Sequence, residues 1–75
     1  MKMEQKILEI INYIRAGKGL TPLTIIKPND SLREDIEFTS FDLAELTVRI
    51  EDEFDIDIFE NGLVHSVGEI FERLK

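Results

Sequence analysis

Apolar residues return at helical spacing in three stretches of this 75-residue chain, and long polar connections separate them. In the first stretch Met3, Ile7, Ile10, Ile11 and Ile14 fall on one stripe, which predicts an amphipathic helix. Gly17 is its expected C′ residue, ending the helix near Ala16. In the second, Thr39 and Asp42 have capping-box spacing, so a helix is expected to begin at Ser40. At 100° per residue, Leu43, Leu46, Thr47, Ile50 and Phe54 share one broad sector suited to a core. Phe41, Ala44 and Val48 form a second apolar stripe on the opposite side. In the third, Ser66-Val67-Gly68-Glu69 predicts a capped helix through Leu74, with Val67, Ile70, Phe71 and Leu74 inward.

The connection from Gly17 to Thr39 is long for a compact domain and needs anchors. Leu20, Leu23, Ile25 and Ile26 are the candidates, and a short extended segment at Leu23–Ile26 is compatible with the pattern. Thr21-Pro22 and Lys27-Pro28-Asn29-Asp30 are turn signals, and Ser31-Leu32-Arg33-Glu34 resembles the box of a single helical turn. Asp57 to Gly62 is expected to form a brief helix. The expected fold is all-α: a small bundle of three main helices plus one short helix, with a long loop between the first and second. A chain of this length holds one core, so residues 1–75 are expected to form one domain.

Charge sharpens this picture. Sixteen acids against nine lysines and arginines give a net charge of −7. From Glu34 to Glu60 eleven acids face one base, Arg49, whereas the first twenty residues are mildly basic. Such a field repels nucleic acid and anionic lipid and steers the chain towards basic protein surfaces. The bland alternative is a solvated face that keeps a small domain soluble. The acids concentrate around one serine and one helix, which favours a docking surface made of Phe41, Asp42, Ala44, Glu45, Val48, Glu51 and Asp52. The competing arrangement buries Phe41 and Val48 under the long loop.

The hydroxyl of Ser40 is the candidate for chemistry. It projects from a helix end where backbone N–H groups are unpaired and the macrodipole is positive, an end that stabilises an anion attached to the oxygen. Its sequence neighbours are carboxylates, a threonine and phenylalanines, none of which makes it a nucleophile in its own right. It therefore reads as an attachment point modified by another enzyme. Other sites are weaker. Asp55-Ile56-Asp57-Ile58-Phe59 starts like a calcium loop, but Phe59 stands at a ligand position and the sixth-position glycine is missing. His65 has no orienting partner in sequence, and Gly17-Lys18-Gly19 lacks the spacing of a phosphate loop. Cysteine is absent, so no disulfide or thiolate metal site staples the fold. Glu4, Gln5, Lys6 and Glu9 interrupt the first apolar stretch, so no secretory leader is read there and the cytoplasm is the expected location.

Around Ser40 the chain resembles the acyl carrier protein family. That family carries 4′-phosphopantetheine on the serine of an Asp-Ser-Leu motif at the start of its second helix; here the motif is Thr39-Ser40-Phe41. Ser31-Leu32-Arg33-Glu34-Asp35-Ile36 is similar to the stretch before that motif. The run from Asp42 to the Glu51-Asp52-Glu53-Phe54 ending is similar to the family's recognition helix. The resemblance implies that a phosphopantetheinyl transferase loads Ser40 from coenzyme A. The terminal thiol of the arm would then carry acyl groups for fatty-acid, polyketide or related biosynthesis. It further implies a monomeric carrier, no catalysis of its own, and partner synthases with basic docking patches. Two alternatives stay open: a peptidyl or aryl carrier, and an unmodified interaction subunit that uses only its acidic helix. Four positions depart from the family pattern. Thr39 replaces Asp, Phe41 replaces Leu, Glu37 stands where Gly is common, and Arg49 interrupts the acidic face.

Overall fold

The computed structural model describes residues 2–60 and 62–74. It contains three helices: α1 (Lys2–Gly17), α2 (Ser40–Phe54) and α3 (Val67–Arg73). Among the described residues there is no strand; the only sheet-like feature is an isolated bridge between Ser31 and Ser66. The all-α expectation therefore holds, with α1 packed directly against α2 and α3 tied in largely through the loops.

Each helix buries most of the stripe that its periodicity marks, with Met3, Ile10 and Phe71 only half-buried. Ile7, Ile11 and Ile14 of α1, Leu43, Leu46 and Ile50 of α2, and Val67 and Ile70 of α3 all lie in the core. The connections add Ile26, Leu32, Ile36, Phe38, Ile58 and Val64, which are as well buried as the helical residues. A loop that contributes apolar volume to the core gains burial free energy that offsets the entropy of ordering it.

The loop from 18 to 39 is held by two polar clips from α1. The Asn12 side chain donates to the Leu23 carbonyl at 2.9 Å and accepts from the Leu23 amide at 2.8 Å. Arg15, only 4% exposed, donates to the Ile36 carbonyl at 2.8 Å and to the Thr21 carbonyl through Nε and Nη2 at 3.2 and 2.9 Å. Of the expected anchors, Ile26 is buried and Leu20 and Leu23 are half-buried, whereas Ile25 is exposed. The segment at 23–26 forms no strand.

Three boundaries differ from expectation, the smallest being that α3 ends at Arg73 with Leu74 as its C-cap. Gly17 remains helical, and Gly19, at φ 80°, is the residue that takes the left-handed turn after α1. The stretch 57–60 is a series of turns instead of a short helix, and residue 61 lies outside the described residues. Asp57 caps the first of these turns: its Oδ1 accepts the Phe59 amide at 2.9 Å and its carbonyl the Glu60 amide at 3.2 Å, and the Gly62 amide then goes to the Phe59 carbonyl, three residues back instead of four. Arg73 of α3 then takes the carbonyls of Ile58 and Gly62 at 2.7 and 3.1 Å. The turn at Ser31 does form, but Asp35, not Glu34, closes its box: Ser31 Oγ accepts the Glu34 amide and Asp35 Oδ2 accepts the Ser31 amide.

The N-terminus of α3 is fully occupied. The Ser66–Glu69 box satisfies the amides of those two residues. The Val67 and Gly68 amides donate to the carbonyls of Asp30 and Pro28 at 3.0 and 2.9 Å. Gly68 makes that approach possible, because a Cβ there would stand 3.0 Å from the Pro28 carbonyl oxygen.

Candidate functional site

The opposite situation prevails at α2. Thr39 is an extended N-cap residue, its Oγ1 accepts the Asp42 amide, and Asp42 Oδ2 accepts the Thr39 amide at 2.8 Å. This box uses two of the four orphan donors that begin every helix. The amides of Ser40 and Phe41 have no acceptor among the described residues. Whereas loop carbonyls close α3, the tip of α2 stays open around Ser40, which is itself exposed. The expected helix start and cap are thus both observed.

One cation meets that serine. Nη2 of Arg33, carried on the turn after Ser31, donates to Ser40 Oγ at 2.8 Å. A second cation, Lys18, lies nearby but is committed elsewhere. Its Nζ donates to Asp42 Oδ2 at 2.5 Å and to the Glu37 carbonyl at 2.6 Å, and it stands 5.8 Å from the Phe38 ring centroid.

Asp42 consequently plays a different part from the docking acid expected of it. It is 7% exposed, and its Oδ2 is shared by the Thr39 amide, the Thr39 hydroxyl and Lys18. Burial pushes its carboxyl up, but the hydrogen bonds from Lys18 and Thr39 and the Lys18 charge outweigh that and hold it below its ordinary value. It caps and pins the helix tip, as its spacing from Thr39 predicts, and little of it is left exposed.

The remaining residues of the expected surface, Glu45 apart, are outward. Phe41 is 80% and Val48 64% exposed, Ala44 is exposed between them, and Glu51 and Asp52 are exposed further along α2. The two-faced reading of this helix is correct, and the loop does not cover its second stripe. Thr47, at the edge of the inner sector, and Phe54, the last residue of α2, are half-buried. Glu45 is half-buried and accepts from Nε of Arg49 at 2.9 Å, while the Arg49 guanidinium stacks on the Tyr13 ring at 4.2 Å. Arg49 thus cancels one acid locally and bridges α2 to α1. Tyr13, Lys18, Phe41 and Glu45 line an open groove between the two helices.

Sequence reasoning missed Arg33, Lys18 and Tyr13. Tyr13 had a usable signal, since it lies off the Ile7–Ile11–Ile14 stripe and so had to be outward. Arg33 and Lys18 reach the site from 7 and 24 residues away, through loop geometry that no periodicity encodes.

A family model described as a phosphopantetheine attachment site matches residues 7–71. The chain belongs to that family. It is a phosphopantetheine carrier protein, and its prosthetic group is covalently attached 4′-phosphopantetheine. Carrier domains of this kind are generally non-catalytic and work with a phosphopantetheinyl transferase and with synthase enzymes. No curated protein and no solved structure matches the chain at a significant level.

The residues present fit a phosphodiester. An exposed hydroxyl, two open amides and one guanidinium converge at the positive end of α2. Glu37 adds a detail. At φ 66° it adopts the left-handed backbone that glycine supplies without strain, which accounts for glycine being common there in the family. Among the described residues no helix is long and apolar enough to cross a membrane, and no group of three or more His, Asp or Glu is arranged around a metal position.

Proposed function

We propose that Ser40 is the attachment residue and that the chain carries acyl groups for fatty-acid, polyketide or related synthesis. The observation that carries this reading is the open tip of α2, where an exposed Ser40 Oγ stands among unpaired donors while the equivalent tip of α3 is sealed. In the loading step Ser40 Oγ forms a bond to the phosphorus of coenzyme A that bears the pantetheine. The anhydride P–O bond breaks and adenosine 3′,5′-bisphosphate leaves. The hydroxyl proton passes to a base of the transferase, because the side chain touching Ser40 is a guanidinium, which accepts no proton. When bound, the arm supplies a terminal thiol that holds cargo as a thioester.

Partner recognition falls to the outer face of α2. Phe41, Ala44 and Val48 supply an apolar stripe, and Glu51 and Asp52 supply free negative charge beside it. A few exposed apolar residues with unpaired acids favour fast, electrostatically steered encounter and quick release, which suits a shuttle visiting several enzymes. An acidic helix and an apolar stripe favour acyl over peptidyl or aryl cargo.

Intact mass tests the assignment. Coexpression with several phosphopantetheinyl transferases should add one phosphopantetheine, and Ser40→Ala should abolish the gain. No gain with any of them would leave the unmodified interaction subunit as the better reading of Ser40.

A further inference from the structure

We propose that Arg33 is the positioning residue for the phosphate of the arm, holding it on the loop side of the α2 tip once Ser40 is loaded. This rests on Ser40 being the attachment residue. In a chain with sixteen acids, the other cations near the site are already committed. Arg15 is buried on loop carbonyls with Glu37 at 3.9 Å, Lys18 is paired with Asp42, and Arg49 is paired with Glu45. Among the described residues Arg33 has no carboxylate within ion-pair distance, and its bond is to the Ser40 hydroxyl.

A neutral hydroxyl is a modest acceptor for an exposed guanidinium, because water competes on equal terms. Loading changes the acceptor. Ser40 Oγ becomes an ester oxygen, and two non-bridging oxygens sharing a negative charge appear beside it. A guanidinium fork matches such an oxygen pair, and its hydrogen bonds to charged acceptors are about twice as strong as neutral ones. Arg33 therefore interacts more strongly with the loaded state than with the unloaded one.

The turn that carries Arg33 is anchored on both sides. Its neighbour Leu32 is fully buried, donates its amide to the His65 carbonyl at 2.9 Å and accepts the Phe38 amide at 2.9 Å. The Asp35 and Ile36 amides both return to the Ser31 carbonyl. Only the side chain has to be ordered, which keeps the entropic cost of the contact low.

The test compares unloaded and loaded forms of wild type, Arg33→Gln and Arg33→Lys. In wild type, loading should shift the Arg33 Nε–H resonance and slow its exchange with water. The change in Tm on loading should be less favourable in Arg33→Gln than in wild type by roughly 2–5 °C, with Arg33→Lys between them. At about 1 M salt, where the Debye length is only about 3 Å, the difference should largely vanish. An unmoved Arg33 resonance in loaded wild type, with equal Tm changes in wild type and Arg33→Gln, would overturn the role of Arg33 alone. A wild-type chain that never gains mass at Ser40 would overturn the attachment reading and this one with it.

Discussion

Lys18, just beyond the end of α1, places its Nζ 2.5 Å from Oδ2 of Asp42 in the first turn of α2, bridging 24 residues of sequence. The contact ties the cap of the functional helix to the start of the long loop. Because the Asp42 carboxyl lies below its ordinary value of 3.8, its stabilising contribution is fully present above that value and is lost as pH falls through the lowered one. Glu69 behaves alike, held down first by the His65 amide in the cap of α3. Melts of wild type should therefore fall steeply below about pH 4. Asp42→Asn should cost roughly 1–3 kcal/mol at neutral pH, and its melting curve should approach that of wild type in acid. A constant gap at all pH values would show that the charge of Asp42 plays no part.

The two faces of α2 differ sharply in burial, and stability should follow that difference. Ile50 is fully buried, so Ile50→Ala should cost about 2–5 kcal/mol. Phe54 is only half-buried, and Phe54→Ala should cost less than the roughly 3–5 kcal/mol expected of a fully buried ring. Val48→Ala, at an exposed position, should stay within about 0.5 kcal/mol of wild type. Denaturant titration of the three variants checks the order.

Arg15 makes the loop a structured element. Replacing it with Lys keeps the charge but loses the fork that spans the Thr21 and Ile36 carbonyls. With these carbonyls left short of donors, Arg15→Lys should cost about 2–4 kcal/mol. Amide exchange should speed up most between residues 20 and 38, more than in the core of α1. Uniform acceleration across the chain would mean that Arg15 supports the whole fold and not the loop in particular.

These clips also explain what the sequence could and could not disclose. Helix starts were legible because capping is local: Thr39–Asp42 and Ser66–Glu69 satisfy their own backbone amides within four residues. The buried and outward faces of α2 were legible because period and burial coincide along one helix. The brief helix expected at 57–62 is reduced to turns although Asp57 caps it, because Arg73 of α3 takes the Ile58 carbonyl that a helix would pair with the Gly62 amide, a tertiary contact that hydrophobic spacing does not register. Asp42 was expected both to close the cap with Thr39 and to face a partner; the cap is local and was legible, whereas the contact with Lys18 comes from another element. Arg33 stayed hidden for the same reason. Its position relative to Ser40 is set by Leu32 entering the core, a tertiary event.

Backbone strain at Glu37 offers a stabilising substitution. An L-residue in the left-handed region costs roughly 1–2 kcal/mol, whereas glycine adopts it freely but gives up about 0.5–1 kcal/mol of unfolded-state entropy. The Glu37 carboxylate is largely exposed and 3.9 Å from Arg15, so little is lost with it. Glu37→Gly should raise stability by about 0.5–1 kcal/mol, while Glu37→Ala retains the strain and serves as the control. Asp55, at φ 60°, should respond in the same direction to glycine but less strongly, since aspartate tolerates this conformation. A Glu37→Gly melting temperature below that of Glu37→Ala would show that the strain is negligible, because only the entropic cost of glycine would then remain.

The end of α2 is charged against its own dipole. Glu51, Asp52 and Glu53 crowd the last turn, Asp55 follows as the C-cap residue, and no basic residue lies in that turn. Anions near a helix C-terminus are unfavourable by about 0.3–1 kcal/mol each, so folding alone does not account for them. We propose that recognition by basic partners does. Glu51→Lys and Asp52→Lys should therefore hold or raise the melting temperature while slowing association with partner enzymes several-fold, and should flatten the salt dependence of that association. Glu45→Gln is the informative contrast, because its carboxylate is already answered by Arg49 and its removal leaves that guanidinium stacked on Tyr13. Stopped-flow association at two ionic strengths distinguishes the cases. A loss of thermal stability in Glu51→Lys together with unchanged association would mean that these acids serve the fold, and that the docking surface lies elsewhere.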